Sequence, residues 1–206
     1  MEIVAATGNP HKLEEIRAVL EPIGFRVRSL VDAGDAGPEP VESGDAFEAN
    51  AAIKAIAYAR RLGAIVLADD SGLEVDLLNG EPGVHSAHWA GSEGSRAERD
   101  ARNNARLLAA LAGVPVELRS ARFVCTLCVA APDGSVLLEA RGELEGRIAE
   151  TPRGEHGFGY DPLFVVPEFD RTSAELAPAE KNEISHRGRA LRRLAFLLRH
   201  KGILVG

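Results

Sequence analysis

Two consecutive carboxylates, Asp69 and Asp70, stand where an apolar run at residues 64–68 gives way to Ser71-Gly72. Carboxylates are seldom buried without a partner, so an acidic pair at a strand end faces a cation or a polar cleft. The crevice beyond the carboxyl ends of strands is also where open α/β sheets bind ligands. A solvated turn rich in Asp, Ser and Gly accounts for the same residues, and these four alone do not choose between the two readings. Glu42, in Pro40-Val41-Glu42-Ser43-Gly44, lies just before a long helix and is placed to share an ion with Asp70. Asn50 and Lys54 are four residues apart on that helix and so share one of its faces.

A second group of residues suits anions. The first helix begins Asn9-Pro10-His11-Lys12, with cationic side chains at the positive end of the helix dipole. Such placement costs about 0.3–1 kcal/mol per charge and is relieved by a bound anion. Thr7, Gly8 and Asn9 add hydroxyl, backbone and amide donors, which makes a phosphate site the functional reading. The competing reading is a solvated Lys12 paired with Glu14 or Glu15 of its own helix. The Gly-x-x-x-x-Gly-Lys-Ser/Thr loop of P-loop proteins is absent. The last helix repeats the inversion with Ser185-His186-Arg187-Gly188-Arg189, and Lys181 enlarges that cluster. A surface face paired with Glu180 and Glu183 is the alternative there. Phe158-Gly159-Tyr160-Asp161 offers aromatic faces beside a glycine, a combination suited to stacking on a flat base or, equally, to anchoring a loop through a buried ring.

The elements that must position these groups follow from local signals. A strand at 3–6, a helix from Pro10 to Leu20 with Asn9 as N-cap and closed by Gly24, a strand at 25–29, and a helix capped by Ser43 and stopped at Gly63 give a β-α-β-α-β alternation. That alternation predicts an α/β sheet covered by helices. After a turn at Asp70 to Gly72, Leu73, Val75 and Leu77 alternate as a short strand, and residues 79–83 read as turns. Ser95-Arg96-Ala97-Glu98 is a capping box opening a helix to about Leu111. Runs at 121–131 and 135–143, joined by Pro132-Asp133-Gly134, predict an antiparallel hairpin and hence a mixed sheet. A glycine-rich segment at 153–161 and a helix at 186–200 complete the chain, which shows no internal repeat.

Composition narrows the function classes. A chain of 206 residues with 45% hydrophobic content forms one domain or two lobes on one sheet. A net charge of −7 argues against broad nucleic-acid binding, while leaving room for a local basic pocket. No apolar run reaches membrane-span length and the first residues lack a signal-peptide pattern, so no membrane partner and a cytoplasmic location are expected. Cys125 and Cys128, three apart on a strand, point to opposite faces and read as small core residues, not a disulfide or zinc pair.

Taken together, Thr7-Gly8-Asn9-Pro10-His11-Lys12, Phe47-Glu48-Ala49-Asn50-Ala51 with Lys54, Ala68-Asp69-Asp70-Ser71-Gly72-Leu73, Pro82-Gly83-Val84, Phe158-Gly159-Tyr160-Asp161-Pro162, and Lys181 with Ser185-His186-Arg187-Gly188 closely resemble the inosine/xanthosine triphosphate pyrophosphatase family. The resemblance spans nearly the whole chain. It implies an α/β fold with a mixed twisted sheet flanked by helices, residues 1–206 forming one pyrophosphatase domain of two lobes with the active cleft between them. It further implies a Mg2+ requirement, a homodimer, and a purine nucleoside triphosphate substrate (ITP, dITP or XTP) cut to the monophosphate and pyrophosphate. Carried over by motif, Thr7, Gly8, Asn9, Pro10, His11 and Lys12 hold phosphates, and Glu42 and Asp70 are the metal-linked acids. Asp70 is the proton acceptor with Lys54 as helper, while Ser71, Phe158, Gly159, Tyr160, Asp161, Lys181, His186 and Arg187 bind the nucleotide. His88 and Trp89 depart from the arginine and tyrosine that relatives carry there. Two rivals are a Maf-type pyrophosphatase for modified pyrimidine nucleotides, which needs different base-reading segments, and a non-catalytic sensor, which has no use for a water-activating acid.

Overall fold

The amino-terminal alternation is realised as β1 (Glu2–Ala5), α1 (Pro10–Leu20), β2 (Arg26–Ser29), α2 (Phe47–Leu62) and β3 (Val66–Val75). The chain continues through α3 (Arg96–Ala110), β4 (Ser120–Ala130), β5 (Val136–Ile148), β6 (Phe164–Val166), β7 (Arg171–Thr172), α4 (Pro178–Ile184) and α5 (His186–His200). The computed structural model describes residues 1–200, so the last six positions of the expected 1–206 domain lie outside the described residues. Seven strands form one sheet in the order β2-β1-β3-β4-β5-β6-β7. β1 is parallel to β2 and β3, whereas β6 is antiparallel to β5 and β7, which makes the sheet mixed as expected. β4 and β5 are neighbours joined only by residues 131–135, a link too short for a parallel crossover, with Gly134 N–H donating to the Ala131 carbonyl.

The chain divides into two compact units. The first comprises Met1–Asp70, Cys125–Gly142 and, among the described residues, 187–200. Its strands alternate strictly between two cores. Ile3, Ala5, Leu67, Cys125, Leu127 and Val129 pack with Ile16 and Leu20 of α1 and Leu191, Leu194 and Leu198 of α5. Val4, Ala6, Val66, Ala68, Cys128 and Ala130 pack instead with Ala51, Ala55, Tyr58 and Ala59 of α2. Each buried leucine contributes about 1.5–3 kcal/mol, while the alanine-lined face lets α2 lie close to the sheet. The period of two thus sorts the cysteines to opposite faces, both buried and unbridged.

The second unit comprises Ser71–Val124 and Glu143–His186. Its core gathers Leu73, Val75, Leu107, Leu111, Phe123, Ile148, Tyr160, Leu163, Phe164 and Leu176. α3 starts at the anticipated capping box: Ser95 Oγ accepts from Glu98 N–H, and Glu98 Oε2 accepts from Ser95 N–H at 2.7 Å. Buried Arg119 donates to the carbonyls of Leu111 and Val114 beyond the end of α3 and of Ala149 after β5.

Several local expectations change. The anticipated turn after Asp70 is absent, because β3 runs unbroken through Asp69-Asp70-Ser71-Gly72 to Val75; strand neighbours on the sheet override the local turn preference. Leu77 belongs to a 3-10 turn at Asp76–Leu78 and is exposed, so it extends no strand. Ser43 does not cap α2, whose N-cap is Ala46. Asn50 Oδ1 reaches back to accept Gly44 N–H at 2.8 Å, folding residues 44–46 as an approach to the helix. Gly24, left-handed at φ +95°, closes a 3-10 turn at Glu21–Ile23 that follows α1, not α1 itself. β5 runs on to Ile148, and α4 forms in a segment with no anticipated helix.

Candidate active site

In the first unit, β3 outruns β1. The β1 pairing with β3 matches Val4 to Val66 and Ala5 to Leu67, and Asp69 and Asp70 lie beyond it. Successive side chains on a strand face opposite ways, so the two acids have different companions. Asp69, nearly fully buried, meets the α1–α5 side: Lys12 Nζ lies 2.7 Å from its Oδ2 and Arg187 Nε 3.5 Å away. Arg187, also buried, extends Nη1 to Glu15 Oε2 at 2.8 Å. Burial pushes the Asp69 carboxyl upward, but Lys12, Arg187 and Lys54 outweigh it and hold the group well below the carboxylate range. The inverted charges at the starts of α1 and α5 therefore share an internal acid. Lys12 pairs with Asp69, not with Glu14 or Glu15 of its own helix, and Arg187 pairs with Glu15.

Asp70 meets the α2 side. Lys54 Nζ lies 3.0 Å from Glu42 Oε1 and 3.9 Å from Asp70 Oδ1, and buried Asn50 hydrogen-bonds the Asp70 carboxylate. Burial raises the Asp70 carboxyl to about 6 against the pull of Lys54, with Glu42 and Asp69 adding to the rise. Lys54 is disfavoured by its own burial, yet Asp69, Asp70 and Glu42 hold its pKa above the ordinary value. An acid titrating near neutrality beside a fixed cation is suited to accepting a proton. Among the described residues no group of three or more His, Cys, Asp or Glu side chains converges as a metal-ligand set. The Asp70 carboxylate, whose proton affinity Glu42 raises, nevertheless fits Mg2+, which is commonly held by one or two acids together with substrate phosphates.

The loop between β1 and α1 lies beside these groups in the chain. Thr7 Oγ1 accepts from Asn9 N–H at 3.1 Å and Asn9 Oδ1 from His11 N–H at 3.0 Å. Asn9 Nδ2 is buried with no hydrogen-bond partner among the described residues, a donor available to an anion. Thr7, Gly8, Asn9 and Pro10 line a cavity of about 470 Å3 together with Leu13 and Tyr58. The His11 side chain is exposed.

In the second unit, Phe158, Gly159, Tyr160, Asp161 and Lys181 come together. Lys181 Nζ is 2.5 Å from Asp161 Oδ2 and 5.2 Å from the Phe158 ring centroid, and Asp161 Oδ2 also accepts Phe158 N–H at 2.8 Å. Tyr160 is the buried anchor, donating its hydroxyl to the Ser86 carbonyl at 3.0 Å, while the Phe158 ring is only half-buried. His186 stacks on Phe123 with centroids 5.0 Å apart, and Ser71 is half-buried on β3. Trp89 donates to Glu81 and lies under the Arg106 guanidinium, so this departure from the expected tyrosine is fixed to its own unit; His88 is exposed, with its ring 6.0 Å from His85.

Residues 3–197 match the Ham1 family model. The chain belongs to the Ham1 family. Curated relatives named dITP/XTP pyrophosphatase include one from an Exiguobacterium species, 54% identical over 94% of this chain and 95% of the relative, and one from Geobacillus kaustophilus, 53% identical over 94% and 92%. A solved Ham1 protein from Coxiella burnetii is 40% identical and superimposes with a TM-score of 0.88 over 97% of this chain and 99% of its own. Within this Ham1 fold, sequence reasoning singled out Asp69, Glu15 and Asn50 but gave them no role in the site. Strand parity was the available signal for Asp69, since two consecutive acids on a strand cannot serve the same face. Asn50 was legible only as a face-mate of Lys54.

Proposed function

We propose that this chain hydrolyses deaminated purine nucleoside triphosphates (ITP, dITP and XTP) to the nucleoside monophosphate and pyrophosphate. The relatives' names supply the substrate class, and the observation that carries the chemistry is Asp70, a buried acid raised to about 6 between Lys54 and Glu42. In this reading residues 1–206 work as one pyrophosphatase domain of two lobes, removing aberrant nucleotides from the precursor pool. Glu42 and Asp70 would hold Mg2+, whose chemistry is to neutralise phosphoryl oxygens and orient the triphosphate.

Lys12, Asn9 Nδ2 and the Gly8 N–H of the Thr7–His11 segment bind phosphate oxygens, and Asp69 holds the Lys12 ammonium in place. Asp70 accepts a proton from the water whose oxygen bonds to the α-phosphorus, while the bond from that phosphorus to the bridging oxygen breaks and pyrophosphate leaves. Lys54 stabilises negative charge beside Asp70 and helps hold the acid in place. Phe158 offers a ring for stacking, with Gly159, Tyr160, Asp161 and Lys181 shaping that loop and Ser71 contributing a hydroxyl. The purine 6-oxo group is read by donors of the first turn of α5, His186 and Arg187, the latter oriented by Glu15 and Asp69. A site built to donate there rejects a 6-amino group by as much as about 10⁴–10⁵.

The reading also takes the enzyme to be a cytoplasmic homodimer; no helix among the described residues is long and apolar enough to cross a membrane. The test is incubation with Mg2+ and ITP, dITP, XTP, GTP or ATP, with identification of the phosphate product. Pyrophosphate release from the first three, far above ATP, is expected. Orthophosphate as the first product, or equal turnover of ATP, would overturn the assignment.

A further inference from the structure

Arg96, Asp100 and Asn104 recur every four residues on α3 and so form one stripe along it. Leu107 in its carboxyl half and Leu111 just past its end are buried in the second core, whereas the stripe meets the loop that carries Phe158. Asp100 Oδ2 accepts Gly159 N–H at 2.9 Å, and Asn104 Nδ2 donates to the Gly159 carbonyl at 2.9 Å. Both peptide groups flanking the Gly159 Cα are thus gripped by a single helix. Gly159 is left-handed at φ +62°, and the grip holds it there. Arg96 completes the arrangement, with its guanidinium 4.3 Å from the Phe158 ring centroid and its Nε 3.9 Å from Asp100 Oδ2.

None of these three side chains belongs to the expected site. We propose that Asp100 and Asn104 are positioning residues for base recognition, clamping the Gly159 peptides so that the Phe158 ring is presented in one fixed orientation to the purine. The inference rests on the proposed nucleotide pyrophosphatase reading and adds to it the residues that set its base affinity. The acids and lysines assigned to phosphates and water lie on β3, α1 and α2, so a loosened clamp weakens base binding and leaves the phosphate groups in place. Without the clamp the loop must be ordered by the nucleotide itself, at the expense of binding.

The test compares Asn104→Ala, Asp100→Ala and Asp100→Asn with the wild type. Expected is a rise of about tenfold in KM for ITP in each alanine variant, from the lost hydrogen bond, with kcat changed by less than about twofold. Asp100→Asn retains an oxygen acceptor and recovers most of the loss. Inhibition by tripolyphosphate, which carries phosphates and no base, stays at the wild-type constant in all three, and the ITP to ATP ratio of kcat/KM stays at the wild-type value, because ring stacking does not distinguish a 6-oxo from a 6-amino purine. Gly159→Ala serves as a second probe should an alanine variant fail to fold. An added Cβ meets no atom within 4 Å there, so a raised KM in that variant reports the left-handed backbone and not crowding. Unchanged KM, or an equal weakening of tripolyphosphate, would overturn the clamp. Absence of ITP hydrolysis in the wild type would overturn the functional reading instead, so the two failures are distinguishable.

Discussion

Replacing Asp69 by asparagine tests whether the structure has identified the acid that organises the cationic side of the site. The substitution keeps the side-chain shape but leaves Lys12 Nζ, now 2.7 Å from an oxygen, and Arg187 Nε, 3.5 Å away, without their shared negative charge. Removing one partner from a buried charged pair costs about 3–5 kcal/mol. Arg187 keeps Glu15 at 2.8 Å, and the Lys12 side chain retains 19% exposure, so the lower end applies, about 3 kcal/mol. For a chain of this size that is a fall in Tm of about 6–12 °C. The pH dependence fixes the sign. The folded Asp69 carboxyl lies far below its unfolded value of about 3.9, so its stabilisation is fully present above that pH and drains away as pH falls through the folded value. The gap in stability between wild type and variant should be widest at neutral pH and close below about pH 4. Thermal or urea unfolding across pH 2–8 measures it. A Tm difference under about 2 °C at pH 7, or a gap that does not narrow in acid, refutes the reasoning.

Other substitutions address the remaining groups. Asp70→Asn should abolish turnover while ITP binding by calorimetry survives, and full activity would remove its role as base. Because the folded Asp70 pKa is raised to about 6, the fold favours the protonated acid, and that contribution is lost as pH rises through 6; the neutral asparagine should therefore stabilise the metal-free protein above pH 6 and not at pH 4. Burial pushes both Cys125 and Cys128 up to about 12, so iodoacetamide at pH 8 should label neither in the folded protein and both in denaturant. Rapid native labelling would contradict their placement. Arg187→Ala should reduce the preference for ITP over ATP, measured as a ratio of kcat/KM; an unchanged ratio counts against base reading by that side chain.

Where a signal is local, the sequence was read to the residue. Asn9 with Pro10, Ser95 with Glu98, and left-handed Gly63 bracket helix ends through bonds made within a few residues, and α1, α3 and the end of α2 fall where those bonds require. The misreadings have a common cause in partners far along the chain. Asp-Asp-Ser-Gly has turn composition, yet β3 carries it extended because the strand has neighbours on the sheet. Ser43 has the chemistry of a cap, but Asn50 takes the Gly44 N–H and the helix begins where Phe47 can be buried. The cation-rich starts of α1 and α5 did announce a need for anions. Part of that need is met within the chain, by Asp69 for Lys12 at a separation of 57 residues and by Glu15 for Arg187 at 172, distances over which no spacing rule operates.

The continuous extension of β3 through its two acids makes odd and even numbering a form of address. Losing a single residue between Val66 and Ala68 would delete no charge, yet it would deliver the Asp70 side chain to Lys12 and Arg187, move Asp69 into the slot of Ala68 among the alanines of α2, and leave Ser71 opposite Lys54. Every ionisable group would still be present, and each would answer at its neighbour's door.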